Sequence, residues 1–241
     1  EVRRLLGPLA SAPAASRADA AVDPQARRAR TVSEWSRPPQ ERHDTQGLFW
    51  MAHPQVMPRL NRLASGREDA NAYDHLLECL KAQGWTFPVR RVASLGCGFG
   101  ALERGLSQLG VAERIDGYDL APAAIEEARR LAAREGLDGL TYHVTDLERE
   151  PLPEGAFDIV FASHSVHHIE HLDALFASVH ASLRPGGVFH LQEYVGPDRF
   201  QWTDAQLEGI NMFMATLPLK YRRFPSGMER GPVGRPSVQA V

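Results

Sequence analysis

Cysteine is scarce in this sequence: Cys79 and Cys97 are the only two among 241 residues. Two thiols cannot build a disulfide framework, which suits a reducing compartment, and a cytoplasmic location is expected. Long apolar runs are also missing. None approaches the roughly 20 residues of a membrane span, so a membrane is not an expected partner. Positive charge is not in excess either. Lys and Arg number 27 against 30 Asp and Glu, a net charge of −3. With no polycation and no aromatic-basic stripe, nucleic acid is not an expected partner. Residues 1–45 hold few large apolar side chains. Rich in Ala, Arg, Pro and Ser, they cannot offset the entropy of ordering and read as a disordered tail. The short Ala/Leu segment behind Arg3 and Arg4 is broken by proline and falls short of a signal peptide. The chain opens on Glu1 and reads as a fragment or a processed form.

What is present is enough apolar residue, 43%, for one sizeable core. Residues 46–90 read as a helical cap. Tyr73, Leu76, Leu77 and Leu80 recur at helical spacing, and Gly84 is the expected C-cap. From Arg91 strands alternate with helices. RVASL precedes ALERGLSQLG, and RIDGYDL precedes PAAIEEARRLAAREG, with Pro122 in the first helical turn. LTYHVTD and FDIVFAS follow as strands, then a helix over HHIEHLDALFASVHASL, a turn at Arg184-Pro185-Gly186-Gly187, and the strand VFHLQEY. This alternation predicts an α/β fold with a doubly wound, mostly parallel sheet over residues 91–195, its ligand beyond the C-terminal strand ends. Residues 196–241 carry one more helix, N-capped by Thr203, and no strand pattern.

The turn Gly96-Cys97-Gly98-Phe99-Gly100-Ala101 fits two templates. Gly96, Gly98 and Ala101 satisfy the dinucleotide form, and Gly96, Gly98 and Gly100 a tighter one. Bare backbone lets a ligand approach closely, yet a plain strand-to-helix turn has the same glycines. Asp119 ends the second strand. It is placed to accept from ribose hydroxyls, in NAD as in other nucleosides, or simply to cap the helix at Pro122. Asp146, after the third strand, is placed to accept from an adenine amine.

The ordered set VASLGCGFG, IDGYDLAPAAIEEAR, VTDLEREPLPEGAFDIVFASHSVHHI and LRPGGVFHLQEY resembles the class I S-adenosylmethionine-dependent methyltransferases, of the type 11/12 kind. EYVGPDRFQW and the spacing of Trp50, His53 and Pro54 resemble a bacterial small-molecule subgroup, some of whose members are fused to glycosyltransferases. The resemblance implies S-adenosylmethionine as cofactor. It implies that backbone at Gly96, Cys97 and Gly98 meets the methionine part and that Asp119 holds the ribose. Leu120 would pack on adenine, Asp146 would meet its amine beside Leu147, and Ser163 would lie near the sulfonium and amino group. Two departures stand out. Ser94 replaces the usual acid near the end of strand one, and a neutral acceptor contributes about 0.5–1.5 kcal/mol where a charged one contributes about 1.5–3. The usual C-terminal strand hairpin has no counterpart, so the chain reads as truncated.

A methyl sulfonium is already activated, so alignment is the main catalytic demand, with a base useful for a hydroxyl acceptor. His164, His167, His168 and His171 crowd the helix expected after strand four. His164 and His168 share one face of that helix; His164 is the first base candidate and His168 the second. Each has the alternative of hydrogen bonding at the cofactor pocket or helix surface. The two histidine pairs diverge, so no metal is expected. Glu193 and Tyr194 end strand five toward the same crevice. Phe200, Trp202 and Phe213 read as an apolar lid or as core. Lys220, Arg222 and Arg223 read as a site for an anionic acceptor or as solvated surface. The expectation is methyl transfer to oxygen or nitrogen of a small molecule, a sugar or other bacterial metabolite leading; the alternative is a non-catalytic cofactor-binding or interaction module. A nicotinamide oxidoreductase lacks its second half here, and the oligomeric state is open.

Overall fold

The computed structural model describes residues 24–37, 54–193, 202–223 and 231–234. Helices α1 (Pro24–Trp35), α2 (Val56–Ser65) and α3 (Ala72–Ala82) precede the sheet. Then come β1 (Val89–Leu95), α4 (Ala101–Gln108), β2 (Ala112–Asp119), α5 (Pro122–Arg134), β3 (Leu140–Val144), β4 (Phe157–Ser163), α6 (Leu172–Ser182) and β5 (Leu183–Gln192). Helix α7 (Asp204–Thr216) ends the series. The five strands lie in the order β3-β2-β1-β4-β5, and every neighbouring pair is parallel. The doubly wound expectation holds. All five strands therefore finish on one edge, where the connections of the site lie.

The central strands are apolar on both faces because both are covered. Val92, Ile159 and Phe161 join Leu80 and Leu106 under α3 and α4. Ala93, Leu95, Val160 and Ala162 join Leu175 and Val179 of α6 on the other face. Burying side chains of this size contributes about 1.5–3 kcal/mol each. Helix α3 is started by a capping box: Asn71 accepts from the Tyr73 and Asp74 N–H groups, and Asp74 accepts from Asn71 N–H. That fixes its stripe of Tyr73, Leu76 and Leu77 against the core.

Four local readings differ from the structure. Pro24–Trp35, expected within a disordered tail, is helix α1; it makes tertiary contacts that its composition does not reveal. Strand β1 begins at Val89, where Val89 N–H bonds Val111 C=O. The helix expected from His167 onward is broken into a short 3-10 turn at Val166–His168 and α6 from Leu172. His164 and His168 therefore do not share a helix face. Arg184–Gly187, expected as a turn, lie inside β5, where the pairing with β4 jumps from Phe157–Leu183 to Ile159–Val188. Among the described residues the sheet has five strands, and no helix is long and apolar enough to cross a membrane. Tyr194, Phe200, Trp50 and His53 lie outside the described residues. Thr203 caps α7 as expected, while Phe213 on that helix is exposed rather than packed.

Candidate active site

The glycine turn is pinned from two sides. Gly96 N–H and Cys97 N–H both donate to Tyr118 C=O, at 2.8 and 3.1 Å. Gly98 N–H donates to Asp119 Oδ2 at 2.8 Å, while Asp119 Oδ1 accepts from Ala121 N–H at 2.8 Å. Asp119 thus ties the turn after β1 to the turn after β2. The capping alternative fails, because the N-cap position is Ala121 and no side chain caps the helix. An ionised carboxylate has about four lone-pair sites, so Asp119 keeps acceptor capacity beyond these two bonds.

Gly96 has φ +65 and sits against the loop after β4. A Cβ there would lie 2.3 Å from Ser165 Cβ. Ser165 in turn donates to Leu95 C=O at 2.7 Å, so neither side has room to retreat. Gly96→Ala is expected to destabilise the fold by about 2–4 kcal/mol, from overpacking and the left-handed backbone together. Urea unfolding measures it; a loss under about 1 kcal/mol would show the two loops are not locked together.

Asp146 is 7% exposed. Its carboxylate meets Arg28 of α1 at 3.3 Å and Arg149 at 3.6 Å, and accepts from Glu148 N–H at 3.2 Å. Leu147 packs on the α6 side of the core, and Leu120 is half-buried beside Asp119. Ser163, at the end of β4, accepts a hydrogen bond from Tyr73 Oη at 2.6 Å. The cap helix α3 thereby reaches into the site. The Tyr73 ring is stacked obliquely on His190 and Phe161, and burial raises the phenol pKa.

The loop after β4 is shaped by one carboxylate. Glu193 accepts from the backbone N–H groups of Ser165 and Val166 and pairs with His167 Nδ1 at 2.8 Å. Burial works against its charge, but the bonds from His167 and the two N–H groups outweigh it and hold the pKa below the usual value. His164 takes a positive φ of 52° just before this clamp. Such backbone is uncommon for a non-glycine residue and costs about 1–2 kcal/mol. Its N–H donates to Gln192 C=O at 2.8 Å, and its side chain is exposed. His168 turns elsewhere. Trp35 of α1 and His167 crowd its ring, at 5.0 and 4.1 Å between centroids. The side chain is still exposed, but desolvation of the ring, then the charge of the neighbouring His167, push its pKa down. The two base candidates thus have unlike surroundings. Among the described residues no three His, Cys, Asp or Glu side chains converge as a metal site.

Beneath the turn lies a residue that the sequence reading did not single out. Glu103 of α4 is 0% exposed, and neither carboxylate oxygen has a hydrogen-bond partner among the described residues. Burial raises its pKa from 4.5 to about 7, while the adjacent Ser94 hydroxyl, short of good hydrogen-bond geometry, eases the charge only in part. The signal was available: Glu103 is in helical phase with Leu106, a buried residue three positions on. Nothing comparable in the sequence announces Arg28 or Trp35, and Tyr73 is announced only as part of the α3 stripe.

Residues 93–191 match the family described as Methyltransferase domain. The malonyl-[acyl-carrier protein] O-methyltransferase of Serratia marcescens is 32% identical over 144 residues, 59% of this chain and 54% of that protein. Aklanonic acid methyltransferase DauC of Streptomyces sp. (strain C5) is 40% identical over 77 residues, 32% of this chain and 35% of that protein. The solved structure of an S-adenosylmethionine-dependent methyltransferase from Mesorhizobium loti is 34% identical, with a TM-score of 0.40, over 47% of this chain and 51% of its own. The chain spans about half the length, or less, of the curated relatives it matches. The match over residues 93–191, the parallel sheet order and the glycine turn at the end of the first strand make this part of the chain similar to S-adenosylmethionine-dependent methyltransferases.

Proposed function

We propose that the protein transfers a methyl group from S-adenosylmethionine to an oxygen or nitrogen of a small molecule. The observation that carries this reading is the row formed by the Gly96–Gly100 turn, Asp119 and Asp146 at the C-terminal ends of the adjacent strands β1, β2 and β3. The residues fit the cofactor on two counts. At Gly98, with φ +52, the direction a side chain would take has nothing within 4 Å, which leaves bare backbone to meet a ligand. Glu103 offers a buried carboxylate without a partner to a ligand that carries two cationic groups.

When bound, the cofactor supplies a methyl on a sulfonium, an electrophile that needs little further activation. The work of this chain is then positioning. Backbone at Gly96, Cys97 and Gly98 lines the methionine part. Asp119 accepts from the ribose hydroxyls. Leu120 and Leu147 pack on the base. Asp146 accepts from the adenine amine, in competition with Arg28, which holds the carboxylate at 3.3 Å. Ser163, fixed by Tyr73, lies toward the reacting centre.

For a hydroxyl acceptor the proton goes to His164. Both rings are exposed, but His164 stands at the end of β4, whereas His168 rests edge-on against Trp35 and its pKa is lowered. Two of the relatives, from Serratia marcescens and Methylocella silvestris, are named as O-methyltransferases, which favours oxygen. A sugar or other bacterial metabolite leads as the acceptor class.

The test is calorimetric titration of the folded chain with S-adenosylhomocysteine and with NAD. Acceptor mixtures of hydroxylated and amine-bearing metabolites are then screened for release of S-adenosylhomocysteine. Binding with a dissociation constant on the order of micromolar, about −8 kcal/mol, and turnover on one acceptor class are expected. A folded chain that binds NAD and not S-adenosylhomocysteine would overturn the reading.

A further inference from the structure

We propose that Glu103 of α4 is the counter-charge for the α-ammonium group of the cofactor, taking from the helix the part that Ser94 leaves open on β1. The inference rests on the reading of residues 93–191 as a cofactor-binding domain.

Buried polar side chains are nearly always hydrogen-bonded, and an orphaned one calls for a cause. Glu103 is orphaned twice over, at both oxygens, in a residue with no exposed surface. The groups that face it are Ser94, Arg104 and Asp119, and its own charge is felt by Tyr73, Cys97 and Tyr142. These come from β1, α4, the glycine turn, α3, the end of β2 and the middle of β3. Glu103 therefore sits below the turn where the strand ends converge. Arg104 is the one cation among them, and it is occupied. Its guanidinium donates to Phe99 C=O at 2.7 Å and pairs with Glu135 at 3.1 Å. Among the described residues no other cation faces Glu103.

S-adenosylmethionine carries a sulfonium and an ammonium against one carboxylate. A site that binds it gains from an acid, and the end of β1 has a hydroxyl instead. Asp119 already accepts from Gly98 and Ala121, and Asp146 is engaged by Arg28 and Arg149. Of these acids Glu103 is the one with no hydrogen-bond partner at either oxygen among the described residues. The Ser94 hydroxyl beside it accepts from an ammonium while donating to a carboxylate, so the two residues together supply what a single acid would. Burial that raises the Glu103 pKa to about 7 adds a consequence: binding of an ammonium draws the proton off, and affinity rises with pH across that value.

Calorimetry of S-adenosylhomocysteine against wild type, Glu103→Gln and the double variant Ser94→Asp/Glu103→Gln tests this. Methylthioadenosine, which lacks the ammonium and carboxylate, serves as the second probe. At pH 8 Glu103→Gln is expected to weaken S-adenosylhomocysteine roughly 10- to 100-fold, the worth of a charged hydrogen bond, and methylthioadenosine less than about twofold. The double variant is expected to recover most of the lost affinity, because it returns the carboxylate to β1. Equal loss for both probes would make Glu103 a structural residue, and no loss for S-adenosylhomocysteine would remove the ion pair; either overturns the proposal. A wild-type chain that binds neither probe overturns the cofactor reading itself.

Discussion

Asp119→Ala is expected to lower the affinity for S-adenosylhomocysteine by about 100-fold or more, with the sheet still folded. Asp119 does two things at once. In the protein alone it accepts from Gly98 and Ala121 N–H groups at 2.8 Å each, which sets the shape of the glycine turn. Its remaining lone pairs are the ones proposed to accept from the ribose diol of the cofactor. A hydrogen bond to a charged acceptor contributes about 1.5–3 kcal/mol, so losing two ribose bonds alone reaches about 3 kcal/mol, or two orders of magnitude. Loosening of the turn adds to the loss. The fold survives because Gly96 and Cys97 remain held by Tyr118 C=O and the core lies below the turn. Asp119→Asn separates the roles: an amide oxygen still accepts from Gly98 while the charge is gone, and a loss of roughly tenfold is expected. Calorimetry gives the affinities and a thermal melt confirms folding. If Asp119→Ala binds within about threefold of wild type, the ribose is held elsewhere.

The sheet was legible in the sequence because its central strands have little choice. VASL and FDIVFA are buried on both faces, and continuous apolar runs between glycine turns admit few other structures. The placement of the candidate residues was legible where they follow strand ends: Gly96, Asp119, Asp146 and Ser163 all lie on the C-terminal edge of the sheet. It failed where a distant group overrides local pattern. HHIEHL has helical spacing, but Glu193, from the end of β5, draws the Ser165 and Val166 N–H groups to itself and delays the helix to Leu172. Pro185 and Gly186 signal a turn, yet β5 runs through them with a shift in pairing. Helix α1 has few apolar residues to reveal it. Its contacts include Arg28 to Asp146 and Trp35 to His168, which no periodicity encodes.

Glu103→Gln should remove a loss of stability that the apoprotein suffers as pH rises. In an unfolded chain Glu103 ionises near 4.5, whereas in the fold it keeps its proton to about 7, chiefly because burial disfavours the charge. Between those values the folded state binds more protons than the unfolded state, so rising pH favours unfolding. Relative to the protonated fold at low pH, wild type loses about 3 kcal/mol to this one residue by pH 8. Glutamine has no such titration. Its buried amide carries its own desolvation cost, but that cost is the same at every pH, so the quantity to compare is the change with pH rather than stability at one pH. Urea unfolding of both proteins without ligand at pH 4.5 and pH 8 is expected to show the variant gaining about 3 kcal/mol on wild type across that interval. In a chain of this size that is roughly 6–12 °C in melting temperature. S-adenosylhomocysteine should then protect wild type more at pH 8 than at pH 4.5, since its ammonium answers the charge that destabilises the empty site. Parallel pH profiles for the two proteins would mean that Glu103 is neutralised some other way, and would remove both this stability effect and the reason for a buried acid beneath the turn.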